Sequence, residues 1–267
     1  GVLVVQRNKI IKLLSDNFFS LSEDKEEVFK IITNINPDII HFEEFSETFV
    51  DHSILNKIYN DRSYFITETT HGTTFDKNLK FFIPDKIQFV SKGNYEKYKS
   101  LSECSEILEF PTNFRKRAEG LINLGLDPKT KHVLNIGLFT RNKNQSEIFQ
   151  YANSLLGENI LFHFVGNQSG NFEDYWKPLM KVKPKNCIIW GERNDTHNFY
   201  NCMDLFLFTS ILENRPLSVI EAISHKIPTL IYNLPNYGDT FSKYKEVEFL
   251  TSDKNTNLLK IKDLLNV

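Results

Sequence analysis

Two glutamates stand on either side of a predicted helix start in the stretch LFLFTSILENRPLSVIEAISHKIPTLIYN, residues 205–233. Glu213 lies in the loop before the helix, and Glu221 lies inside a helix that is otherwise apolar enough to pack against a sheet. Carboxylates in such places can accept hydrogen bonds from the hydroxyl groups of a ligand. A pair of glutamates at this spacing also arises by chance, so the surrounding residues decide how it is interpreted.

The residues around this helix start predict a site for a phosphate group. Pro216 suits the first helical position, where its missing N–H loses no hydrogen bond. The N–H groups that follow would point at an anion near the positive end of the helix dipole. They belong to Leu217, Ser218 and Val219. Two cations in the loop GLFTRNKNQ, Arg141 and Lys143, could add fixed positive charge to the same site.

The two glutamates extend this phosphate site in opposite directions. Glu221 lies about five residues into the helix, which is roughly 7.5 Å along its axis and comparable to the distance from a bound phosphate to its ribose. A carboxylate accepts two hydroxyl hydrogen bonds, as a ribose diol requires. Glu213 would lie beyond the phosphates, where an attached sugar would be. The arrangement predicts a nucleotide-sugar site.

Short apolar strands alternate with helices throughout the second half of the chain. We predict strands at 131–139, 159–166, 186–191, 204–210 and 227–232, and helices at 144–156, 172–181, 195–202 and 216–225. Such strands are typical of a parallel sheet covered on both faces, a doubly wound α/β unit. Ligands of these sheets bind at the carboxyl ends of the strands. The loops 137–145, 165–170, 190–195 and 209–216 should therefore lie on one rim.

The first half follows the same alternation less regularly. We predict strands at 2–5, 38–42, 63–69, 86–91 and 105–110, and helices near 23–34, 48–59 and 93–100. The stretch 111–130 mixes proline, glycine and charge and is the best candidate for a linker. We therefore expect two α/β units, residues 1–115 and 116–267, facing each other across a cleft.

The composition excludes several classes of function. The net charge is −2 and the isoelectric point is near 6.4, which gives no electrostatic case for nucleic acid as a partner. No stretch of these residues predicts a transmembrane segment or a secretory signal, and the three scattered cysteines suit a reducing compartment, so we expect a cytoplasmic protein. There is no Asp-x-Asp pair and no ligand cluster with metal spacing, so neither a metal nor a cofactor is expected.

The segment DLFLFTSILENRPLSVIEAISHKIPTLIYN, with GLFTRNKNQ and FVGNQ upstream, resembles the donor-binding domain of retaining GT-B glycosyltransferases. The group concerned is the glycogen-synthase-like and lipopolysaccharide-type group, which carries an E-x7-E motif in this setting. The resemblance implies two Rossmann-like, doubly wound units. It also implies that Glu221 binds the nucleotide ribose, that Glu213 binds the transferred sugar, and that Lys143 with Arg141 binds the diphosphate. Further donor contacts are expected from Asn214, Leu217 and Ser218, and contacts to the base from the loop at Trp190 and Gly191.

The first half resembles only the later part of the family's acceptor domain, through PDIIHFEEF, FITETTHGT and IQFVSKGNYEKY. His71, in TTHGTT, matches the family's histidine that faces the cleft, which implies a catalytic contact to the donor sugar. Two departures stand out. Leu138 replaces the usual arginine after the glycine of the first loop, and Arg141 is expected to take its place. The glycine-rich opening loop is missing, so the chain is either a compact variant with an incomplete first unit or a segment of a longer multidomain protein.

The sequence therefore predicts a metal-independent glycosyltransferase. It would move a sugar from a nucleotide-diphosphate sugar to a glycan, lipid or protein acceptor with retention of anomeric configuration. Two alternatives stay open. A nucleotide-sugar epimerase shares the architecture and the diphosphate site, and a non-catalytic nucleotide-sugar-binding module of a larger protein would explain the shortened first half.

Overall fold

A computed structural model describes residues 2–3, 18–19, 26–60, 62–108, 124–237 and 239–267 of this chain. The chain divides into two compact units, Gly1–Leu108 and Glu109–Val267, which we call unit 1 and unit 2. The boundary predicted between residues 115 and 116 falls in segment 109–123, outside the described residues.

The described part of unit 1 contains a four-stranded parallel sheet and a separate two-stranded pair. The pair joins β1 (Val2–Leu3) to β2 (Phe18–Phe19). The larger sheet has the order β3-β4-β5-β6 and consists of Ile39–Phe42, Phe65–Thr70, Lys86–Phe89 and Ser105–Ile107. The helices are α1 (Glu26–Ile35), α2 (His52–Tyr59) and α3 (Lys92–Tyr98). The prediction missed β2, and the other elements overlap the predicted ones. The remainder of the predicted strand 2–5 and the start of the helix near 23–34 lie outside the described residues.

Unit 2 is built on a six-stranded sheet whose paired strands are all parallel. The strands are β7 (Lys131–Ile136), β8 (Ile160–Val165), β9 (Cys187–Gly191), β10 (Leu205–Phe208), β11 (Thr229–Tyr232) and β12 (Val247–Leu250). The helices are α4 (Gln145–Ser154), α5 (Glu173–Lys181), α6 (Thr196–Cys202), α7 (Leu217–Ser224) and α8 (Lys254–Leu265). The sequence-based assignment missed β12 and α8.

The strand order of unit 2 places a ligand crevice at a definite point. From one edge the order is β9-β8-β7-β10-β11-β12, so successive connections run outward from β7 and then outward from β10. This is the 3-2-1-4-5-6 order of a Rossmann sheet, in which ligands bind where the direction reverses. The crevice must therefore open between the carboxyl ends of β7 and β10.

Both faces of this sheet are covered, which explains why its strands are continuously apolar. One core contains Val133, Phe162 and Leu207 together with side chains of α4, α5 and α8. The other contains Leu134 and Phe206 with side chains of α6 and α7. Neighbouring residues of one strand, such as Val133 and Leu134, thus serve opposite faces. The sheet is held rigidly enough to fix the loops at its carboxyl edge.

Candidate functional site

The loops that follow β7 and β10 meet at the crevice through an ion pair between two predicted site residues. The Lys143 ammonium donates to Glu213 Oε1, and the side chains keep 26% and 11% of their exposure. Ser210 Oγ donates to the same carboxylate oxygen at 2.6 Å. The ammonium also lies 5.2 Å from the centre of the Phe208 ring, which terminates β10. The predicted phosphate cation and the predicted sugar carboxylate are therefore direct neighbours.

The backbones of these loops are joined as well. The Ile211 N–H donates to the Asn142 carbonyl at 2.8 Å, and Ser210 Oγ lies 3.1 Å from the same carbonyl oxygen. Thr209 Oγ1 donates to the Asn144 carbonyl at 2.9 Å. The two polar residues that follow β10 thus hold the loop after β7 in place. Because the loops are tied together, Lys143 and Glu213 keep their relative position.

A glycine at residue 166 permits this edge of the sheet to close. Gly166 has a φ of +151°, and a Cβ there would lie 2.0 Å from the Gly137 carbonyl oxygen. The Gly137 N–H donates to Val165 O at 2.9 Å, so the loops after β7 and β8 run in direct backbone contact. The Lys143 side chain passes close to Gly137, with Cδ 3.6 Å from where a Cβ would be. A side chain at residue 166 would therefore displace the backbone at Gly137, against which the lysine side chain lies.

The start of α7 differs in detail from the prediction. Pro216 is the residue before the first helical position, with a φ of −74°, and Leu217 opens the helix. The Val219 N–H donates to the Pro216 carbonyl at 3.1 Å, so the expectation that it binds an anion is wrong. A tight i→i+3 hydrogen bond of the 3₁₀ type in the first turn takes up this N–H, and the Ile220 N–H lies 3.3 Å from the same carbonyl. The role of the Leu217 and Ser218 N–H groups stays a prediction, and Asn214 lies buried in the preceding loop.

Glu221 is oriented by a buried tyrosine that sequence analysis missed. Tyr200, on α6, donates its hydroxyl to Glu221 Oε2 at 2.8 Å and also lies 3.1 Å from the Ser218 carbonyl. Burial, followed by the charge of Glu221, raises the pKa of Tyr200 well above its usual value, so the hydroxyl stays a donor. The Glu221 residue itself remains exposed. Tyr200 thus fixes one oxygen of the Glu221 carboxylate from the buried side, while Glu221 itself faces solvent.

Arg141 does not join Lys143 in this structure. Its guanidinium donates to Asp174 on α5 at 2.9 Å, and the two side chains are 70% and 68% exposed. An exposed pair of this kind contributes little to stability, so the arginine can leave it at small cost. Its role at the diphosphate stays a prediction.

The predicted base-binding residues lie at the end of β9. Trp190 donates its indole N–H to His163 Nδ1 at 3.0 Å, so this donor is already used inside the protein. Gly191 has a φ of +69°, which disfavours side chains, and its carbonyl accepts from the Gly166 N–H at 2.8 Å. Arg193 lies 5.8 Å from the Trp190 ring and pairs with Asp195 at 2.7 Å.

In unit 1, His71 follows β4 at the carboxyl edge of the sheet. Its Nε2 lies 2.8 Å from Glu43 Oε2, and the side chains are 45% and 72% exposed. Glu43 and the neighbouring Glu44 follow β3, the adjacent parallel strand. The predicted histidine therefore lies at a strand end, within reach of a carboxylate that the prediction did not include.

Two of the missed residues differ in what the sequence offered. Ser210 lies three residues before Glu213 in the loop 209–216 that the sequence analysis already singled out, so this partner was accessible from the sequence. Tyr200 lies 21 residues from Glu221 in an unremarkable helix, and no local pattern connects them.

No three His, Cys, Asp or Glu side chains are grouped as metal ligands within the described ranges. The helices of those ranges are also too short or too polar to cross a membrane.

Comparison with known proteins shows which family the chain matches. The family model for "Glycosyl transferases group 1" matches residues 117–265, more than half of the chain. The chain is 25% identical over 162 residues to the capsular polysaccharide biosynthesis glycosyltransferase CapH of Staphylococcus aureus, with 58% of this chain and 41% of that protein covered. Four such curated relatives are covered over 35% to 52% of their own length.

Solved structures show the same fold. Sucrose-phosphate synthase from Thermosynechococcus elongatus is similar with a TM-score of 0.75 at 15% identity, covering 91% of this chain and 68% of that one. HepE from Anabaena, in complex with UDP and glucose, has a TM-score of 0.72 at 15% identity, covering 88% and 71%. These GT-B neighbours, together with the parallel sheets, confirm the predicted α/β fold class.

Proposed function

Because this chain belongs to the group 1 family of glycosyl transferases, we propose that it transfers a sugar from a nucleotide-diphosphate sugar to an acceptor with retention of anomeric configuration. The observation that carries the proposal is the Lys143–Glu213 pair at the crevice between β7 and β10. It brings one cation and one carboxylate together where an open parallel sheet binds its ligand.

The pair assigns complementary roles to its members. An ammonium group has three donors, and Glu213 takes one of them, so Lys143 retains two for diphosphate oxygens. With the N–H groups of Leu217 and Ser218 it would stabilise the charge that develops on the leaving diphosphate. Glu213, held by Ser210, would face the sugar whose bond to phosphate breaks. Asn214 and Arg141 would complete the diphosphate side.

Glu221 would bind the ribose, and the loop at Trp190 and Gly191 would receive the base. Since Tyr200 already donates to one oxygen of Glu221, the carboxylate is oriented before the nucleotide arrives. The indole N–H of Trp190 is used by His163, so this residue would contact the base through its ring. The complex of HepE with UDP and glucose supports a donor of this class for the present fold.

The reaction proposed is attack by the acceptor on the same face from which the diphosphate leaves. A diphosphate oxygen accepts the acceptor's proton as the new glycosidic bond forms and the bond to phosphate breaks. His71 would contact the donor sugar.

Cationic side chains and helix N–H groups would stabilise the leaving diphosphate in place of a metal ion, so we propose that turnover continues in excess EDTA. A cytoplasmic location also stays a proposal, and glycan, lipid and protein all remain candidate acceptors.

Incubation with a panel of labelled nucleotide sugars and acceptors tests the proposal. A glycosyltransferase releases nucleoside diphosphate and moves label to an acceptor, and NMR of the product gives its anomeric configuration. Epimerisation without an acceptor would indicate the alternative enzyme. Binding with neither reaction would indicate a non-catalytic module of a larger protein.

Two variants separate the roles of the glutamates. Glu213→Gln should lower turnover roughly a hundredfold while changing nucleoside diphosphate affinity by less than about 1 kcal/mol, because its contact matters in the transition state. Glu221→Ala should cost about 1.5–3 kcal/mol of affinity, the range for a hydrogen bond to a charged group. The matched control is Glu158→Gln. This carboxylate lies just before β8 and pairs with Lys262, and its loss should change neither turnover nor affinity. A large loss of nucleoside diphosphate affinity in Glu213→Gln with turnover preserved would refute this division of roles between the two glutamates.

A further inference from the structure

Unit 1 fixes the backbone at His71 with a carboxylate from the neighbouring strand. Glu44 Oε1 accepts from Thr70 Oγ1 at 2.5 Å and from the Phe45 N–H at 3.2 Å. Its Oε2 accepts from the His71 N–H at 3.1 Å and from the Gly72 N–H at 2.8 Å. A carboxylate has about four acceptor sites, so this group is fully used by the turn that carries the histidine.

The same turn is held from its other side by α3. Asn94, which is 1% exposed, donates to the Gly72 carbonyl at 2.7 Å. The Tyr98 hydroxyl lies 3.0 Å from the Phe75 nitrogen and 2.9 Å from its carbonyl oxygen. The segment that follows β4 is therefore attached to two different elements. This is more support than a loop needs merely to connect a strand to the next one.

The ring of His71 is constrained separately by Glu43. The carboxylate only accepts hydrogen bonds, so the contact at 2.8 Å requires a proton on His71 Nε2. In the neutral ring the acceptor is then Nδ1. His41 Nε2 lies 3.4 Å from the other oxygen of Glu43, which keeps the carboxylate between two imidazoles.

We propose that Glu44 and Glu43 are positioning residues for His71: Glu44 sets the backbone of the turn, and Glu43 selects the tautomer that offers Nδ1 to a sugar hydroxyl. This inference rests on the proposed transferase function. Neither glutamate needs to touch the substrate, because both act through the histidine. Catalytic groups lose activity when they are displaced even slightly, which gives such support a measurable effect.

Glu44→Gln is the first test. An amide in place of either oxygen turns an NH2 group toward N–H or O–H donors, so the turn should shift. We expect kcat to fall about tenfold to a hundredfold. Nucleoside diphosphate affinity should not change, since the proposed nucleotide contacts lie in unit 2. Glu96→Gln, at an exposed carboxylate of α3 that pairs with Lys99, is the matched control and should leave kcat unchanged.

Gly72→Ala is a milder second variant in case Glu44→Gln fails to fold. Its Cβ would lie 3.3 Å from Glu44 Oε2, which is close enough to displace the carboxylate by a few tenths of an ångström. We expect a loss in kcat of about threefold to tenfold. In Glu43→Gln, nitrogen-15 NMR of the His71 ring should show a mixture of tautomers, because an amide can either donate or accept.

A double-mutant cycle separates positioning from general stability. In a His71→Ala background, Glu44→Gln and Gly72→Ala should each change kcat by less than about twofold. Equal losses in both backgrounds, or a His71→Ala protein as active as the wild type, would overturn this inference alone. A wild-type protein that transfers no sugar from any donor would overturn the proposed function and this inference with it.

Discussion

Two clusters of charged side chains, one in each unit, differ in location. In unit 1, Lys80 lies inside the fold between Glu47 at 2.7 Å and Glu68 at 2.9 Å, with side-chain exposures of 0%, 3% and 0%. In unit 2, Lys143 and Glu213 lie at the rim, where two loops meet. Groups inside the protein hold the first cluster, since Lys80 contacts both carboxylates and the Tyr59 hydroxyl donates to Glu68. The second retains donors and acceptors that a ligand can use, so location and not charge distinguishes a structural carboxylate from a candidate binding one.

The histidines show the reverse distribution. His41 and His71 of unit 1 are partly exposed beside Glu43. His132 and His163 of unit 2 are buried in the sheet and joined by a hydrogen bond of 3.0 Å. Trp190 can only donate to His163 Nδ1, so His163 Nε2 must donate to His132 Nδ1, and His132 Nε2 to the Asp127 carbonyl. In this series of hydrogen bonds every ring nitrogen of the two histidines already donates or accepts, which suits a structural role.

The largest expected effect comes from breaking the buried cluster of unit 1. Lys80→Met leaves two carboxylates without their cation in a site closed to water, and removing one partner of a buried pair costs about 3–5 kcal/mol. Hydrogen exchange of the β4 and β5 amides should report this loss of opening free energy in unit 1. Lys99→Met, at an exposed pair with Glu96, should leave exchange unchanged. Equal hydrogen-exchange rates in Lys80→Met and Lys99→Met would mean that the buried cluster contributes nothing to the stability of unit 1.

Acid should destabilise unit 2 through His163. Burial, with a smaller effect from His132, lowers the pKa of His163 to about 3. Because the folded pKa lies below the unfolded value of about 6.5, the stabilisation is complete above pH 6.5 and is lost as the pH falls toward 3. Between pH 7 and pH 5 the loss should be roughly 2 kcal/mol.

Unfolding of wild type and His163→Gln at several pH values measures this effect. Glutamine can accept from Trp190 and donate to His132, and it does not titrate. Its stability should therefore depend less on pH over this range. Parallel curves for the two proteins would contradict the assignment of the effect to His163.

A smaller effect is expected at the ribose carboxylate. Tyr200→Phe removes the hydroxyl that orients Glu221, and nucleoside diphosphate affinity should fall by about 0.5–1.5 kcal/mol, the usual net value of one hydrogen bond. Calorimetry measures it. The matched control is Tyr64→Phe in unit 1, whose hydroxyl donates to the Ile58 carbonyl and which should not alter affinity. In a Glu221→Ala background the effect of Tyr200→Phe should disappear, and its persistence would argue for a purely structural tyrosine.

The smallest expected effect concerns Arg141. Asp174→Asn releases the guanidinium from its exposed partner, so nucleoside diphosphate should bind more tightly by less than about 1 kcal/mol. In an Arg141→Ala protein the same substitution should have no effect. A loss of affinity in Asp174→Asn would indicate that Arg141 serves the diphosphate from its place beside Asp174, and an unchanged affinity would indicate that it does not serve the diphosphate.

Much of the fold was accessible from local patterns. The apolar run LFLF of β10 and the apolar segment ILFHFV of β8 predicted strands buried on both faces, and both lie in the covered sheet of unit 2. The last strand and helix escaped prediction although Asp253 caps α8, with a carboxylate that accepts from the Asn255 and Thr256 N–H groups. That helix has a weaker apolar pattern. A capping residue is a poor signal of a helix when no apolar periodicity follows it.

The candidate site was accessible only in part. The sequence identified Lys143, Glu213 and Glu221 because they lie next to strand ends and a helix start, which are local features. It did not show that Lys143 would contact Glu213, that Arg141 would turn to Asp174, or that Tyr200 would lie under Glu221. These contacts join residues 70, 33 and 21 positions apart.

What the amino-acid sequence determined by itself was the set of elements and the chemical type of the groups at their ends, because periodicity, capping and loop composition act over a few residues. The tertiary structure decided which of those groups meet. That outcome depends on the strand order β9-β8-β7-β10-β11-β12, which brings the ends of β7 and β10 together although about 70 residues separate them. Strand order is set by packing both faces of the whole sheet at once, and no short stretch of the chain contains that information.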